Sequence, residues 1–419
     1  MTIHTADASL AAARPVAAVH DRLVWPPYSG ASPAEHVPAA DPFREVRWLA
    51  WPSEWRERGM KILDVGCGTG HISVGAAKHN ARADVLGVDA SETAIRAAKD
   101  RAERLGVGNV GFAACIPHDV ESLGETFEFI YCTDVLMYVS SAGEVLRHLR
   151  NVLQPQGVIL ASLLGAHGRF GVTMIRDILR VVGHGQISPF QALLARKLMD
   201  ATNDRHPFRK QEFAADLRSD DATLAHLFLH PEEQAHTVRQ TYELAADAGL
   251  QILRFEPAGF YEPEGYLTDP DALRPFADLS PEQRRGAAEL LHSRIRMHNV
   301  LLALPGFEMR APSVGDGDWL DAVPVRSRMW QWQPVGGSNG QAGGLSASQS
   351  FWSIEHKGQF GGWQAQVIAL CEGDRTLGDV WGTVSAHPGL WAVDEDQRVE
   401  AFRAFIGKCV SRSILHLTR

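Results

Sequence analysis

Residues 61–71 read Lys61-Ile62-Leu63-Asp64-Val65-Gly66-Cys67-Gly68-Thr69-Gly70-His71. A short apolar strand runs straight into glycines at 66, 68 and 70, and a helix is expected to start immediately after them. Glycines in such a turn allow a tight reversal and let backbone N–H groups approach a ligand closely. The spacing departs from the dinucleotide fingerprint G-x-G-x-x-G. Its third glycine comes one residue early, and Asp64 sits two residues before the first. A ligand without a pyrophosphate needs less of the anion site at the helix N-terminus, and the pattern fits such a ligand.

Outward from this turn the chain alternates strands and helices. After the strand 61–65, the apolar spacing predicts a helix over 71–80 and a strand over 83–88. A helix at 91–105 and strands at 109–113 and 128–132 follow, then a helix over 143–153 and a strand over 157–163. This alternation implies an α/β fold with a parallel sheet covered on both faces. The regularity stops after Gly165. Residues 166–235 read as mostly helical, Val238 to Ala248 as an amphipathic helix, and 250–255 and 299–304 as late strands completing the sheet. The segments between them, 166–235 and 256–297, are expected to be helical insertions over the C-terminal edge of the sheet, where such folds bind ligands. A long insertion there is a candidate lid.

Three further stretches fall at strand ends. Val85-Leu86-Gly87-Val88-Asp89-Ala90-Ser91 places a carboxylate at the end of the second strand, where it can accept hydrogen bonds from both hydroxyls of a ribose. Ile116-Pro117-His118-Asp119-Val120 follows the third strand. There Asp119 is positioned to accept from an adenine amino group, and Val120 offers the next backbone N–H. Tyr131-Cys132-Thr133-Asp134-Val135-Leu136-Met137-Tyr138 ends the fourth strand.

The Asp64–Gly70 stretch resembles motif I of class I S-adenosylmethionine (SAM)-dependent methyltransferases. The resemblance implies a Rossmann-like methyltransferase sheet, SAM as cofactor and S-adenosylhomocysteine as product. It implies that Asp64 supports the methionine end through its amino group, and that the backbone of Gly66, Cys67, Gly68 and Gly70 lines the ligand. It adds Asp89, Ala90, Asp119, Val120 and Thr133 as cofactor-binding residues. Beyond Gly165 the chain is similar to bacterial methyltransferases with a methyltransferase regulatory region, some of them protein-lysine methyltransferases. The matching pieces include Met174-Ile175-Arg176, His206-Pro207, Leu227-Phe228-Leu229-His230-Pro231, Ala248-Gly249-Leu250, Pro257, Tyr261 and His298. The family's proline-aromatic entry segment has only a loose counterpart in Trp25-Pro26-Pro27-Tyr28.

The domain reading divides the chain into an N-terminal arm with helices (1–60), a SAM-binding domain (61–305), a connector with a flexible linker (306–350) and a C-terminal accessory domain (351–419). The linker rests on the Gly- and Ser-rich stretch 334–350. The tail, with three expected helices and a short strand at 414–417, is similar to winged-helix modules. It has one more acidic than basic residue. A DNA-binding winged helix would be basic, so the tail reads as a protein or peptide contact or a dimerisation element.

Composition supports this picture. The 419 residues carry a formal charge of −9, which argues against a broad phosphate-binding surface, so no nucleic-acid partner is expected. The five cysteines are scattered and form no C-x-x-C pair, so neither a disulfide framework nor a zinc site is expected. His230 and His236 lack the i,i+4 spacing of a helical metal pair, and no metal is assigned. No apolar run reaches about 18 residues. No membrane contact is expected, and the reading is cytoplasmic.

Methyl transfer is an in-line displacement at a sulfonium, in which alignment does most of the work. A base is needed only where the nucleophile must lose a proton. Tyr138 and His167 follow strands four and five on the cofactor edge and are the candidate catalytic residues, with Arg169, His206, His230 and Tyr261 as further neighbours of the acceptor. The leading expectation is methyl transfer to a nitrogen or oxygen of a small molecule or peptide. The alternatives are a protein-lysine methyltransferase and a non-catalytic SAM-binding regulator or scaffold.

Overall fold

The computed structural model describes residues 42–51, 58–183, 189–210, 233–309, 314–315, 317–327, 331–335, 344–349, 356–390, 394–412 and 414–418. The entry segment at 25–28 and His230 lie outside these residues.

Strands β1 (Lys61–Val65), β2 (Asp84–Asp89), β3 (Val110–Ala114), β4 (Phe127–Cys132) and β5 (Leu153–Gly165) run parallel. With β7 (Gln251–Glu256) and β8 (Met297–Ala303) they form a sheet of order β3-β2-β1-β4-β5-β8-β7. The fold is the Rossmann-like α/β class expected from the alternation. Strand β8 is antiparallel to both neighbours, a departure from the all-parallel expectation. Its cause is the insertion before it. β7 ends at the C-terminal edge, the chain wanders there through residues 257–296, and it re-enters from that edge, so β8 must run downward. The short strand β6 (Ala235–His236) pairs with Leu164 and Gly165, beyond the point where β4 stops pairing with β5 at Ala161.

The parallel strands are apolar on both faces because both are covered. Ile62, Val85, Phe129, Tyr131, Leu160 and Leu301 face one core. Leu63, Val65, Val88, Ile130, Ile159 and Leu302 face the other. This is the period-two alternation of a strand. Helix α1 (Pro42–Ala50) lies on the first core, where the Phe43 N–H donates to Tyr131 Oη at 2.9 Å. Trp51 packs there on Phe129 and donates its indole N–H to Gln156 O at 2.7 Å, so it is a core residue. Helices α2 (His71–His79), α3 (Glu92–Arg104) and α4 (Ala142–Asn151) supply the crossovers. Ser91 starts α3 by accepting the Ala94 N–H at 3.1 Å.

The first insertion carries α5 (Phe170–Gly183) and α6 (Pro189–Ala201), with a small core of Val172, Ile175, Leu179, Ala195, Met199 and Phe208. Helix α7 (Val238–Asp247) opens with a Thr237/Gln240 capping box, and α8 (Pro281–His292) with a Ser280/Gln283 one.

The C-terminal segment contributes α9 (Gly362–Leu370), α10 (Leu377–Val384) and α11 (Glu395–Ser411), and β13 (Leu415–Thr418) pairs antiparallel with β9 (Val323–Arg326). Strands β10 (Gln331–Val335), β11 (Gly344–Gln349) and β12 (His356–Phe360) form a three-stranded antiparallel sheet. Two of these strands therefore lie within or reach into 334–350, the stretch expected to be a flexible linker. Composition suggested flexibility, but backbone pairing asks little of side chains. The tail shares the first core with the main sheet: Val367, Ile368, Leu377, Val380, Phe402, Ile406 and Leu415 belong to the same buried cluster as Ile62 and Phe129.

Candidate active site

The C-terminal ends of β1, β2 and β4 build a continuous wall. Gly66, Gly68 and Gly70 all have positive φ, at 72°, 52° and 73°. Two of these positions exclude a side chain outright. A Cβ on Gly66 would lie 2.3 Å from Val135 Cγ2, and one on Gly70 would lie 2.8 Å from Ala98 Cβ. The loop is folded back onto β2: the Gly66 and Cys67 N–H groups both donate to Val88 O, at 2.8 and 2.9 Å. Arg101 braces it from α3 by donating to Thr69 O at 2.9 Å.

Asp89 is half-buried and holds two backbone donors. Its Oδ2 accepts the Gly68 N–H at 2.9 Å and its Oδ1 the Ser91 N–H at 2.8 Å. Asp64 is 2% exposed. Ser73, on the first turn of α2, donates its hydroxyl to Asp64 Oδ2 at 2.5 Å, and among the described residues only Ser73 bonds this carboxyl. Burial, opposed by the Ser73 hydrogen bonds and helped by the nearby Asp89 charge, raises Asp64 to about 7. A buried carboxylate this costly to ionise suits a cationic partner. Cys67 is buried in the loop and its thiol is pushed well up by burial, then by Asp64 and Asp89.

Asp119 and Val120 sit in a 3-10 turn, Pro117–Leu123, after β3, with Val120 fully buried and Asp119 half-buried. Ala90 and Thr133 are half-buried at the ends of β2 and β4. The structure thus gathers the predicted strand-end residues along one edge.

The ends of β4 and β5, where Tyr138 and His167 are expected, are built differently. Tyr138 is 3% exposed and packs with Met137, Leu164 and Met297. Burial, then the charges of Glu233 and Asp134, push its phenol far up, with Arg169 opposing. It stays a neutral hydroxyl at any ordinary pH. His167 lies in the turn after β5 and is exposed. His206 accepts the Phe208 N–H at Nδ1, 3.2 Å, and caps a turn in the lid.

Several residues here were not singled out from the sequence. Glu233 accepts from Arg169 at 3.1 Å and also from Arg176, tying the turn after β5 and the lid helix α5 to the segment before β6. Both arginines and Glu233 are buried. Asp134 has φ 58°, a left-handed backbone that a non-glycine residue adopts only under constraint. Its side chain is reached by solvent, yet burial raises its carboxyl. Ser73 could have been suspected from its place three residues past Gly70, one turn above the loop. Asp134 lies inside the stretch that ends the fourth strand, although nothing in the sequence marked its left-handed backbone, and Glu233 had no signal at all.

A methyltransferase domain model matches residues 56–188. The chain carries a methyltransferase domain. The match covers the glycine loop, Asp89, Asp119 and the β4 end. An uncharacterized protein of Synechococcus sp. is 26% identical over 331 residues, covering 74% of this chain and 76% of its own length. A ubiquinone biosynthesis O-methyltransferase of Azorhizobium caulinodans is 31% identical over 107 residues, a match spanning 26% of this chain and 41% of that relative. Among solved structures, PKMT2 from Rickettsia typhi in complex with AdoHcy superposes with a TM-score of 0.64 at 18% identity, covering 94% of this chain and 77% of the other. That likeness extends the shared fold beyond the matched domain.

Among the described residues no group of three or more His, Cys, Asp and Glu side chains is arranged to hold a metal, and no helix is long and apolar enough to cross a membrane.

Proposed function

We propose that this enzyme transfers the methyl group of S-adenosylmethionine to a nitrogen or oxygen nucleophile of a small molecule or peptide, releasing S-adenosylhomocysteine. The observation that carries the reading is the pairing of two acids around one glycine loop. Asp64 is a buried carboxyl bonded only by Ser73 among the described residues, and Asp89 is held in place by the Gly68 and Ser91 N–H groups. In this reading Asp64 faces the amino group of the methionine end. Asp89 accepts from the ribose hydroxyls with its remaining lone pairs, and Asp119 and Val120 bracket the adenine. The glycine loop leaves room for the ligand against its backbone. When bound, the sulfonium supplies an activated methyl and its own leaving group.

The chain's contribution is then alignment and exclusion of water. Tyr138, buried and neutral, offers a hydroxyl to orient the acceptor rather than a base to deprotonate it. His167 is the candidate base, exposed beside the β5 end and free to meet an acceptor that must lose a proton.

Titration of the full chain with SAM and S-adenosylhomocysteine by calorimetry tests the cofactor half. Micromolar binding of both is expected, and binding of neither would sink it.

A protein acceptor, a lysine side chain among the candidates, is the second reading. The lid helix α5 leaves the acceptor edge with Phe170, Val181 and Val182 more than half exposed, and Leu193 on α6 is 52% exposed. Exposed apolar side chains concentrated on one insertion suit a polypeptide contact. Incubation of a lysate with labelled SAM separates the readings: label in the protein fraction favours the second, label in the small-molecule fraction the first. Binding without turnover on either fraction would leave a SAM-binding regulator.

A further inference from the structure

A buried polar network lies next to the acceptor edge. Tyr261, His298 and Glu289 are 1%, 0% and 2% exposed. His298 Nε2 is 3.0 Å from His236 O and 3.2 Å from Glu289 Oε1. A carbonyl only accepts, so Nε2 carries the proton and donates to it. The Nδ1 of His298 is hydrogen-bonded to the Tyr261 hydroxyl at 2.9 Å. Glu289 Oε2 accepts the Val238 N–H at 2.8 Å, at the start of α7. Both ring nitrogens of His298 are therefore held by buried partners.

We propose that Tyr261 and His298 are positioning residues that fix the strand 235–236, and through it the acceptor edge. The inference rests on the reading of methyl transfer at this edge. The His236 carbonyl accepts two hydrogen bonds, one from His298 and one from the Ala166 N–H at 2.9 Å. These tie β6 to the end of β5 through the backbone and to β8 through the His298 side chain. The residues just before it do the rest. The Gln234 N–H donates to Met137 O at 3.0 Å, which sets the loop that carries Tyr138. Glu233 clasps Arg169 and Arg176. A shift of His236 would thus move the Tyr138 loop and the lid clasp together.

The C-terminal segment bears on the same device. Tyr261 ends the 3-10 turn Ala258–Tyr261, and a Cβ on Gly259 in that turn would lie 2.9 Å from Ser411 O, on the last residue of α11. Arg254, on the strand leading into the turn, reaches Val410 O at 3.4 Å. The tail is packed directly against the element that presents Tyr261.

Amide hydrogen exchange on the full-length protein tests this, using Tyr261→Phe, His298→Leu and His298→Gln. His298→Leu removes the donor to His236, and exchange over 233–238 and 136–140 is expected to rise about tenfold or more, with the strands β1–β4 unchanged. His298→Gln places an amide N–H near the Nε2 position and is expected to restore most of the protection. Tyr261→Phe is expected to fall between. The affinity for S-adenosylhomocysteine should be the same in all of them. A uniform rise across the sheet, or no rise at 233–238, would overturn the proposal. Absence of S-adenosylhomocysteine binding in the unmodified protein would instead overturn the cofactor reading and leave the exchange result standing.

Discussion

Asp89 reaches across the end of the sheet to Gly68: its Oδ2 accepts the Gly68 N–H at 2.9 Å, while Oδ1 accepts the Ser91 N–H at 2.8 Å. The acid at the end of β2 therefore shapes the loop at the end of β1 before any ligand arrives. Hydrogen bonds to a charged group are worth about 1.5–3 kcal/mol each. Asp89→Ala should lower the affinity for S-adenosylhomocysteine by about a hundredfold, because both the loop anchor and the proposed ribose contact go. Asp89→Asn, which keeps one accepting oxygen, should lose less. Calorimetry on folded variants checks this, and an unchanged affinity in Asp89→Ala would show that the ligand sits elsewhere.

Asp64 gives the binding site a pH dependence. Its carboxyl is raised from an ordinary 3.8 to about 7, chiefly by burial. A raised acid is protonated in the fold while the unfolded chain is already ionised. Its contribution to stability is present below about pH 4 and is lost as pH rises toward 7. A cationic amino group beside it reverses the preference and favours the carboxylate. The affinity for S-adenosylhomocysteine should therefore fall below pH 7 by up to about tenfold per pH unit, and flatten above it. Asp64→Asn should bind more weakly and lose this slope. A slope that survives in Asp64→Asn would assign it to another group.

How much of this was open to sequence reading depended on how local the signal was. The β1 loop, Asp89 and Asp119 each lie within a few residues of a strand end, and glycine spacing and apolar runs mark strand ends directly. The late strands 251–256 and 297–303 were also legible, because a buried strand is apolar wherever it falls in the chain. The direction of β8 was not, since it depends on which edge the insertion leaves the chain. Nor was the Glu233 clasp, which joins residues 57 and 64 positions apart. The tail misled for a related reason. Composition marked 334–350 as a break, while the core contacts that bind residues 367–417 to the sheet are carried by single apolar residues with no pattern of their own.

The clasp itself is testable. Glu233 is the carboxylate between two buried guanidinium groups, and burial and the neighbouring arginines hold Arg176 below its usual range, with Glu233 opposing. Removing the one partner leaves uncompensated buried charge, a loss of about 3–5 kcal/mol. Glu233→Gln should lower the denaturant midpoint accordingly, and a second change, Arg176→Met, made on that background should recover part of the loss. Additive losses in the double variant would mean that the three groups do not act as a unit.

The last prediction concerns the tail. Val367, Ile368, Val380, Val384, Phe402, Ile406 and Leu415 are all fully buried, in the same cluster as Ile62, Val85, Phe129 and Leu160 of the main sheet. Strand β13 also pairs with β9, which lies ahead of the tail in sequence. A chain ending at residue 350 would expose one face of that cluster and leave β9 unpaired. Each large aliphatic or aromatic side chain returned to water costs about 1.5–3 kcal/mol, and a few of them equal the whole stability of a domain, about 5–15 kcal/mol. The truncated chain is therefore expected to aggregate or to lose its cooperative melting transition. A truncated chain that melts cooperatively and binds S-adenosylhomocysteine like the full protein would show that the sheet folds without the tail, and would reduce the tail to an appendage.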